Sequence, residues 1–169
     1  MNKKDIDKKL SELVNEILIR NDSIENLAVV GIKTRGEYLA RRIIKKIKDI
    51  KNIDIATGAI DITLYRDDFR NKKDWPILKK TEIDFDVQGM NIVLVDDVIF
   101  TGRTVRAAIG ALMDYGRPLS IQLAVLVDRG HRELPIHPDY TGFKIDTKID
   151  QQVRVLLQEC DMDEGIIVE

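Results

Sequence analysis

The chain is poor in the residues that build covalent or metal cross-links. It has one cysteine, Cys160, and two histidines, His131 and His137, in 169 residues. A lone thiol excludes an internal disulfide. With no Cys-x-x-Cys pair and no ligand-like histidine spacing, a structural metal is not expected. No nucleophile motif is present. No apolar run approaches the roughly 20 residues of a membrane span. Met1 to Lys9 is charged rather than signal-like, so the expectation is a cytoplasmic protein without membrane contact. The chain also lacks bulk positive charge: net charge is −2, which does not advertise a nucleic-acid binder. The charge is uneven, with twelve Lys/Arg against eight Asp/Glu in residues 1–49 and two against seven in residues 146–169.

What is present suits one globular domain over residues 1–169, with 44% hydrophobic and 33% charged residues and enough length for a sizeable core. Ile6, Leu10, Leu13, Val14, Ile17 and Leu18 recur at helical spacing, predicting a helix over 5–20. Leu27 to Ile32 reads as a buried strand, and 36–48 as a helix with Leu39, Ala40, Ile43, Ile44 and Ile47 on one face. Ile60, Ile62 and Leu64 alternate, predicting a strand with one wet face. Residues 66–82 are polar and read as a loop or loose hairpin suited to a lid. Strand 92–95 and a helix over 105–115 follow, closed by Gly116 and Pro118. Ile121 to Val127 is another buried strand, and the tail beyond Val153 reads as extended. Strands alternating with helices predict an α/β fold with a mostly parallel sheet flanked by helices.

The most informative stretch is Ile92 to Thr104, IVLVDDVIFTGRT. An apolar strand ends in two carboxylates, then a loop with hydroxyls and a glycine opens a helix. The carboxyl end of such a strand is where parallel sheets bind ligands, and loop amides with a helix N-terminus can cradle a phosphate. Two acids beside a phosphate cradle suit a ligand with hydroxyls next to a phosphate, such as a ribose 5-phosphate. Lys33-Thr34-Arg35-Gly36 follows the first strand in the same way. Its two cations, hydroxyl and helix-opening amides suit a pyrophosphate. Arg66 could bring a further cation on the lid. Polar residues from Asp128 to Arg132 leave the last core strand, where they could face a base.

The Ile92–Thr104 stretch resembles the 5-phosphoribosyl-1-pyrophosphate (PRPP) motif of type I phosphoribosyltransferases. With Val30–Arg42, Asp61–Asp68 and the run Arg117–Pro135 (RPLSIQLAVLVDRGHRELP), nearly the whole chain resembles the PyrR family. These are pyrimidine-operon attenuation regulators that are also uracil phosphoribosyltransferases. The resemblance implies a type I phosphoribosyltransferase fold with a small hood, from about residue 128 to 169, and a flexible lid loop at about 66–82. It implies conversion of uracil and PRPP to UMP and pyrophosphate, with Mg²⁺ held through substrate and water rather than directly by the protein. Asp96, Asp97 and Arg35 would be catalytic, the acids orienting the ribose. Val98, Ile99, Phe100, Thr101, Gly102, Arg103 and Thr104 would form the 5′-phosphate loop. Lys33, Thr34, Arg35, Gly36 and Arg66 would meet pyrophosphate, and Asp128, Arg129 and Val153 would lie near the nucleobase.

The same resemblance implies a homodimer or larger homo-oligomer, binding of UMP or UTP, and binding of pyrimidine-operon leader mRNA. Ser11, Arg20, His131 and Arg132 match residues of the RNA face, whereas Asn15, His137 and Phe143 stand where basic or ring-nitrogen groups are usual. Phe100 bears on the base. Purine-salvage relatives carry an acid there that can exchange a proton with the ring, and phenylalanine cannot. The alternatives left open are a nucleotide-sensing RNA regulator with weak or no catalysis, and a plain uracil phosphoribosyltransferase without an RNA role.

Overall fold

The computed structural model describes residues 1–65 and 80–169. Helix α1 (Lys3–Arg20) leads into β1 (Leu27–Ile32), α2 (Arg35–Lys51) and β2 (Ala56–Ile60). After β3 (Glu82–Ile83) come β4 (Asn91–Ile99), α3 (Arg103–Met113), β5 (Ser120–Asp128) and β6 (Tyr140–Lys144). The chain ends with β7 (Val153–Leu156), the short α4 (Gln158–Asp161) and β8 (Gly165–Val168). The main sheet has the order β3-β2-β1-β4-β5-β6, with every neighbour parallel except the antiparallel β2–β3 pair. Strands β7 and β8 form a separate antiparallel pair.

Alternation along the central strands builds a core on each face. Val29, Val93, Val95, Ala124 and Leu126 point to the side covered by α1 and α2. Ala28, Val30, Ile92, Leu94, Leu123 and Val125 point to the side covered by α3. This two-sided burial is why these strands read as unbroken apolar runs. Helix α1 begins at a reciprocal cap: Asn2 accepts from Lys4 and Asp5 amides while Asp5 accepts from the Asn2 amide. Among the described residues, no helix is long and apolar enough to cross a membrane.

The structure differs from the sequence expectation at three places, the first being the tail, read as extended, where the short helix α4 (Gln158–Asp161) separates β7 from β8. The strand expected over 60–64 lies earlier, at Ala56–Ile60, and the chain turns into a short 3₁₀ helix at Thr63–Tyr65. Asp61 Oδ1 accepts from both the amide and the hydroxyl of Thr63, at 3.1 and 2.6 Å. This local bonding competes with strand pairing, and it leaves Leu64 exposed. The expected lid, with Arg66, falls outside the described residues except at its end, where Glu82–Ile83 pairs with Gly58 and Ala59. Finally, β6 inserts part of the expected hood into the main sheet beside β5. Its sequence, YTGFK, is too short and mixed to show a period.

Candidate active site

Strands β1, β2 and β4 run parallel, so their carboxyl ends open on one edge of the sheet. The residues leaving them line one cavity of about 320 Å³: Ile32 to Arg35, Asp61 to Thr63, Asp96 to Val98, and Thr104 at the start of α3. The structure thus brings together Lys33, Thr34, Arg35, Asp96, Asp97, Val98 and Thr104 from the two loops picked out in the sequence. Asp61, Ile62 and Thr63 were not picked out as site residues. The signal was the same strand-end rule, hidden by the misplaced end of β2.

Close backbone contact sets the pyrophosphate-type loop. Gly36 lies in the first turn of α2, and a Cβ there would stand 2.3 Å from the Val95 carbonyl oxygen. Only glycine lets α2 start this close to β4, which places Thr34 and Arg35 beside Asp96 and Asp97. The Lys33–Thr34 peptide bond is cis. Lys33 directs its ammonium to Glu82 at 3.2 Å and Glu37 at 3.8 Å. Arg35 is 34% exposed and pairs with Asp161 from α4.

Asp96 is buried and Asp97 half-buried. Burial pushes Asp96 well above the usual carboxylate range, and the neighbouring charge of Asp97 adds to it. Burial also raises Asp97, opposed by Asp96's hydrogen bond and by the positive charge of Arg35. The pair therefore favours holding a proton unless a cation or a hydroxyl-bearing ligand stabilises its charge.

Gly102 opens the second loop at φ +90°, a left-handed conformation suited to glycine. The first-turn amides of α3 have no carbonyl one turn back to meet; that of Arg103 donates to Thr101 Oγ1 at 3.4 Å, and the positive end of the helix dipole faces the loop, which suits an anion. The loop is braced from behind. Glu133 and Leu134 amides donate to the Thr101 carbonyl at 3.0 and 3.1 Å, and Arg103 donates to Glu133 at 2.6 Å. Ile99 is buried beneath the loop.

Phe100 turns away from the cavity toward the segment after β5. The Arg129 guanidinium stacks 4.0 Å from its ring centroid, and His131 meets the ring edge-on at 5.9 Å. Arg129 is buried and donates to the carbonyls of Gln151 at 2.7 Å and Lys148 at 3.0 Å. Its Nε is buried without a partner among the described residues. Those two carbonyls lie just before Val153, which pairs with Val168 in the β7–β8 hairpin. Burial raises Asp128, but pairing with Arg132 together with the Gly130 amide and the charge of Lys144 holds it below the usual carboxylate range.

The four residues matched to an RNA face lie in two groups. On α1, the Ser11 hydroxyl donates to the Asp7 carbonyl and accepts from Lys46 at 3.0 Å. Arg20 pairs with Asp139 at 2.6 Å. After β5, His131 meets the Thr147 carbonyl at 2.6 Å. Arg132 is only 12% exposed and pairs with Asp128 at 2.7 Å.

The phosphoribosyl transferase domain family matches residues 2–160. The chain is 53% identical over 166 residues to the bifunctional protein PyrR of Listeria monocytogenes, covering 96% of this chain and 91% of that one. It is 50% identical over 169 residues to the bifunctional protein PyrR of Clostridioides difficile, covering 100% and 96%. The chain belongs to the PyrR family. Among solved structures it resembles a hypoxanthine phosphoribosyltransferase of Trypanosoma cruzi, with TM-score 0.75, 16% identity, and 99% and 93% of the two chains covered. It also resembles a hypoxanthine-guanine phosphoribosyltransferase of Bacillus anthracis, with TM-score 0.69, 20% identity, and 86% and 82% covered. These likenesses concern the fold. The PyrR relatives are alike over nearly the full chain, so the cavity, the Phe100–Arg129 stack and the α4 contact to Arg35 all lie within the aligned length.

Proposed function

We propose that this PyrR-family protein transfers the phosphoribosyl group of PRPP to uracil, giving UMP and pyrophosphate, and also binds pyrimidine-operon leader mRNA when UMP or UTP is present. The observation that carries the catalytic half is the meeting of two loops in one cavity: the Asp96–Asp97 pair with the α3 N-terminus, and Lys33–Gly36 with Arg35 facing the cavity. That pairing suits a substrate with phosphate at one end of a ribose and pyrophosphate at the other. A sensor of UMP alone would need no pyrophosphate loop, which favours retained catalysis over a purely regulatory role.

The reaction leaves positive charge at C1′ as pyrophosphate departs. Asp96 and Asp97 orient the ribose hydroxyls, and their charge stabilises that developing cation once the substrate draws them into the ionised form. Arg35 offsets charge on the leaving group. Val98 to Thr104 hold the 5′-phosphate, and positioning supplies much of the rest. Asp61, Asp96 and Asp97 offer hard oxygen donors of the kind magnesium takes, through water and substrate oxygens. When bound with PRPP, magnesium neutralises the pyrophosphate. At the base, Asp128, Arg129 and the Val153 backbone frame the ring, and Phe100 supplies no acid for purine proton exchange.

For RNA, the basic and hydroxyl groups Ser11, Arg20, His131 and Arg132 supply the face, completed in a homodimer or larger homo-oligomer. With Asn15, His137 and Phe143 in place of basic groups, binding is weaker and less salt-dependent than a fully basic face would give. The setting is cytoplasmic, where PRPP, nucleotides and nascent mRNA occur together.

The test is incubation with PRPP, Mg²⁺ and each nucleobase in turn, with detection of the nucleotide formed. UMP from uracil is expected. Conversion of hypoxanthine or guanine with none of uracil refutes the assignment. Filter binding of the leader RNA at two salt concentrations, with and without UMP, tests the regulatory half. No nucleotide-dependent binding at low salt, beside normal catalysis, leaves a uracil phosphoribosyltransferase alone.

A further inference from the structure

The C-terminal segment reaches the pyrophosphate loop through one side chain. Arg35 donates from Nε to Asp161 Oδ2 at 3.1 Å and from Nη2 to Oδ1 at 2.6 Å. This two-point pairing fixes the plane of the guanidinium as well as its position. Asp161 is itself held. Its Oδ2 also accepts from the Leu157 amide at 2.9 Å and from the Cys160 thiol at 3.1 Å. The carboxylate is 15% exposed and is held far below the usual carboxylate range, chiefly by Arg35.

A guanidinium carries five N–H donors in one plane. Asp161 uses two on one edge, leaving both protons of Nη1 and one of Nη2. Arg35 lines the cavity beside Asp97, whose negative charge also acts on it. Its neighbour in the loop, Lys33, is 9% exposed and occupied by Glu82 and Glu37. Arg35 is therefore the loop's cation with donors to spare at the cavity, and its orientation depends on a residue 126 positions away.

We propose that Asp161 is a positioning residue for PRPP: by gripping one edge of Arg35 it presents the other edge to the pyrophosphate. This rests on the reading of Arg35 as a pyrophosphate ligand. Without Asp161, the arginine must be ordered by the ligand at the moment of binding, and affinity falls accordingly. The opposite role is a competing anion that Arg35 must leave before it can meet pyrophosphate. It predicts the opposite sign.

Asp161→Asn keeps the shape and removes the charge. With the full chain, calorimetry with inorganic pyrophosphate and Mg²⁺, and separately with UMP, reads the effect without requiring turnover. The expected result is about tenfold weaker pyrophosphate binding with UMP affinity unchanged, because UMP carries no pyrophosphate. In turnover, the KM for PRPP should rise by a similar factor while the KM for uracil holds. Tighter pyrophosphate binding overturns the proposal in favour of a competing anion. Unchanged binding, or equal weakening of pyrophosphate and UMP, overturns it in favour of no role or a general structural one. The same comparison on Asp161→Ser carries the test should the asparagine variant fail to fold. If the wild type converts no uracil but binds pyrophosphate, the functional reading fails while the calorimetric comparison still decides the role of Asp161.

Discussion

Arg132 donates from Nη1 to the carbonyl oxygen of Phe100 at 2.9 Å, joining the segment after β5 to the loop that opens α3. The same guanidinium bonds the carbonyls of Ile136 at 3.0 Å and Gly130 at 3.1 Å and pairs with Asp128 at 2.7 Å. A residue matched to an RNA face thus braces the expected 5′-phosphate loop from behind. Any effect of nucleotide on RNA binding has a short physical route here. The expected 5′-phosphate loop and the segment that carries His131 share contacts at the Phe100 and Thr101 carbonyls.

The first prediction follows from that bracing. Arg132→Ala removes the ion-pair partner of Asp128, which keeps the Gly130 amide, and one donor from each of three carbonyls in a half-buried setting. Stability should fall by on the order of 1–2 kcal/mol, measured by chemical denaturation. UMP binding should weaken several-fold in calorimetry, because the phosphate loop loses its support. A variant that loses RNA affinity with unchanged UMP affinity and stability would make Arg132 a direct RNA contact and nothing more.

The second concerns pH and the acid pair. Asp96 and Asp97 are raised, so the fold favours their protonated forms. Their contribution to stability is complete below the ordinary carboxylate pKa of about 4 and is lost as pH rises through the folded values. Asp161, Asp128 and Glu159 are lowered and act in the opposite direction, but they are common to wild type and variant. Asp96→Asn should therefore match wild type in Tm near pH 4 and exceed it progressively toward pH 7. Activity should move the other way, falling on the order of 10²-fold or more in kcat/KM. A variant less stable than wild type at pH 7 would show that the carboxylate is stabilising and contradict its placement.

Much of this was legible in the residues. The buried strands β1, β4 and β5 stand out because apolar cores on both faces demand unbroken runs such as Ile92–Val95. The two ligand loops stand out because each follows such a strand and opens a helix. What was hidden depends on contacts remote in sequence. β6 is set by pairing with β5, Asp161 meets Arg35 across 126 positions, and Phe100 meets Arg129 only because β4 and β5 lie side by side. Asp61 and Thr63 escaped for a different reason: alternation at Ile60, Ile62 and Leu64 imitates a strand where side-chain bonding has already turned the chain.

The third prediction uses the closest backbone approach in the site. Gly36→Ala would put a methyl group 2.3 Å from the Val95 carbonyl oxygen, so α2 must move off β4. Because backbone meets backbone there, no side chain can give way, and the cost should reach roughly 1–3 kcal/mol. The displacement also carries Thr34 and Arg35 from the acids, so the KM for PRPP should rise while the KM for uracil changes less. A variant with normal stability and normal PRPP kinetics would mean that the loop shifts without consequence.

The last prediction separates base from phosphate. Phe100 sits in the phosphate loop by sequence, yet its ring meets Arg129, 4.0 Å away. Arg129 has carbonyl partners at two nitrogens and a buried Nε with none among the described residues, so the ring face is a substantial part of what holds it. A cation–π contact in a desolvated place is worth about 2 kcal/mol. Phe100→Leu keeps an apolar side chain and removes the π face. The main-chain carbonyl at position 100 still accepts from Arg132, so the phosphate loop keeps its brace. Arg129 should lose its fixed orientation, raising the KM for uracil about tenfold in steady-state assays while the KM for PRPP changes little. If PRPP binding suffers instead and uracil binding holds, Phe100 acts on the phosphate loop, and the assignment of Arg129 to the nucleobase is wrong.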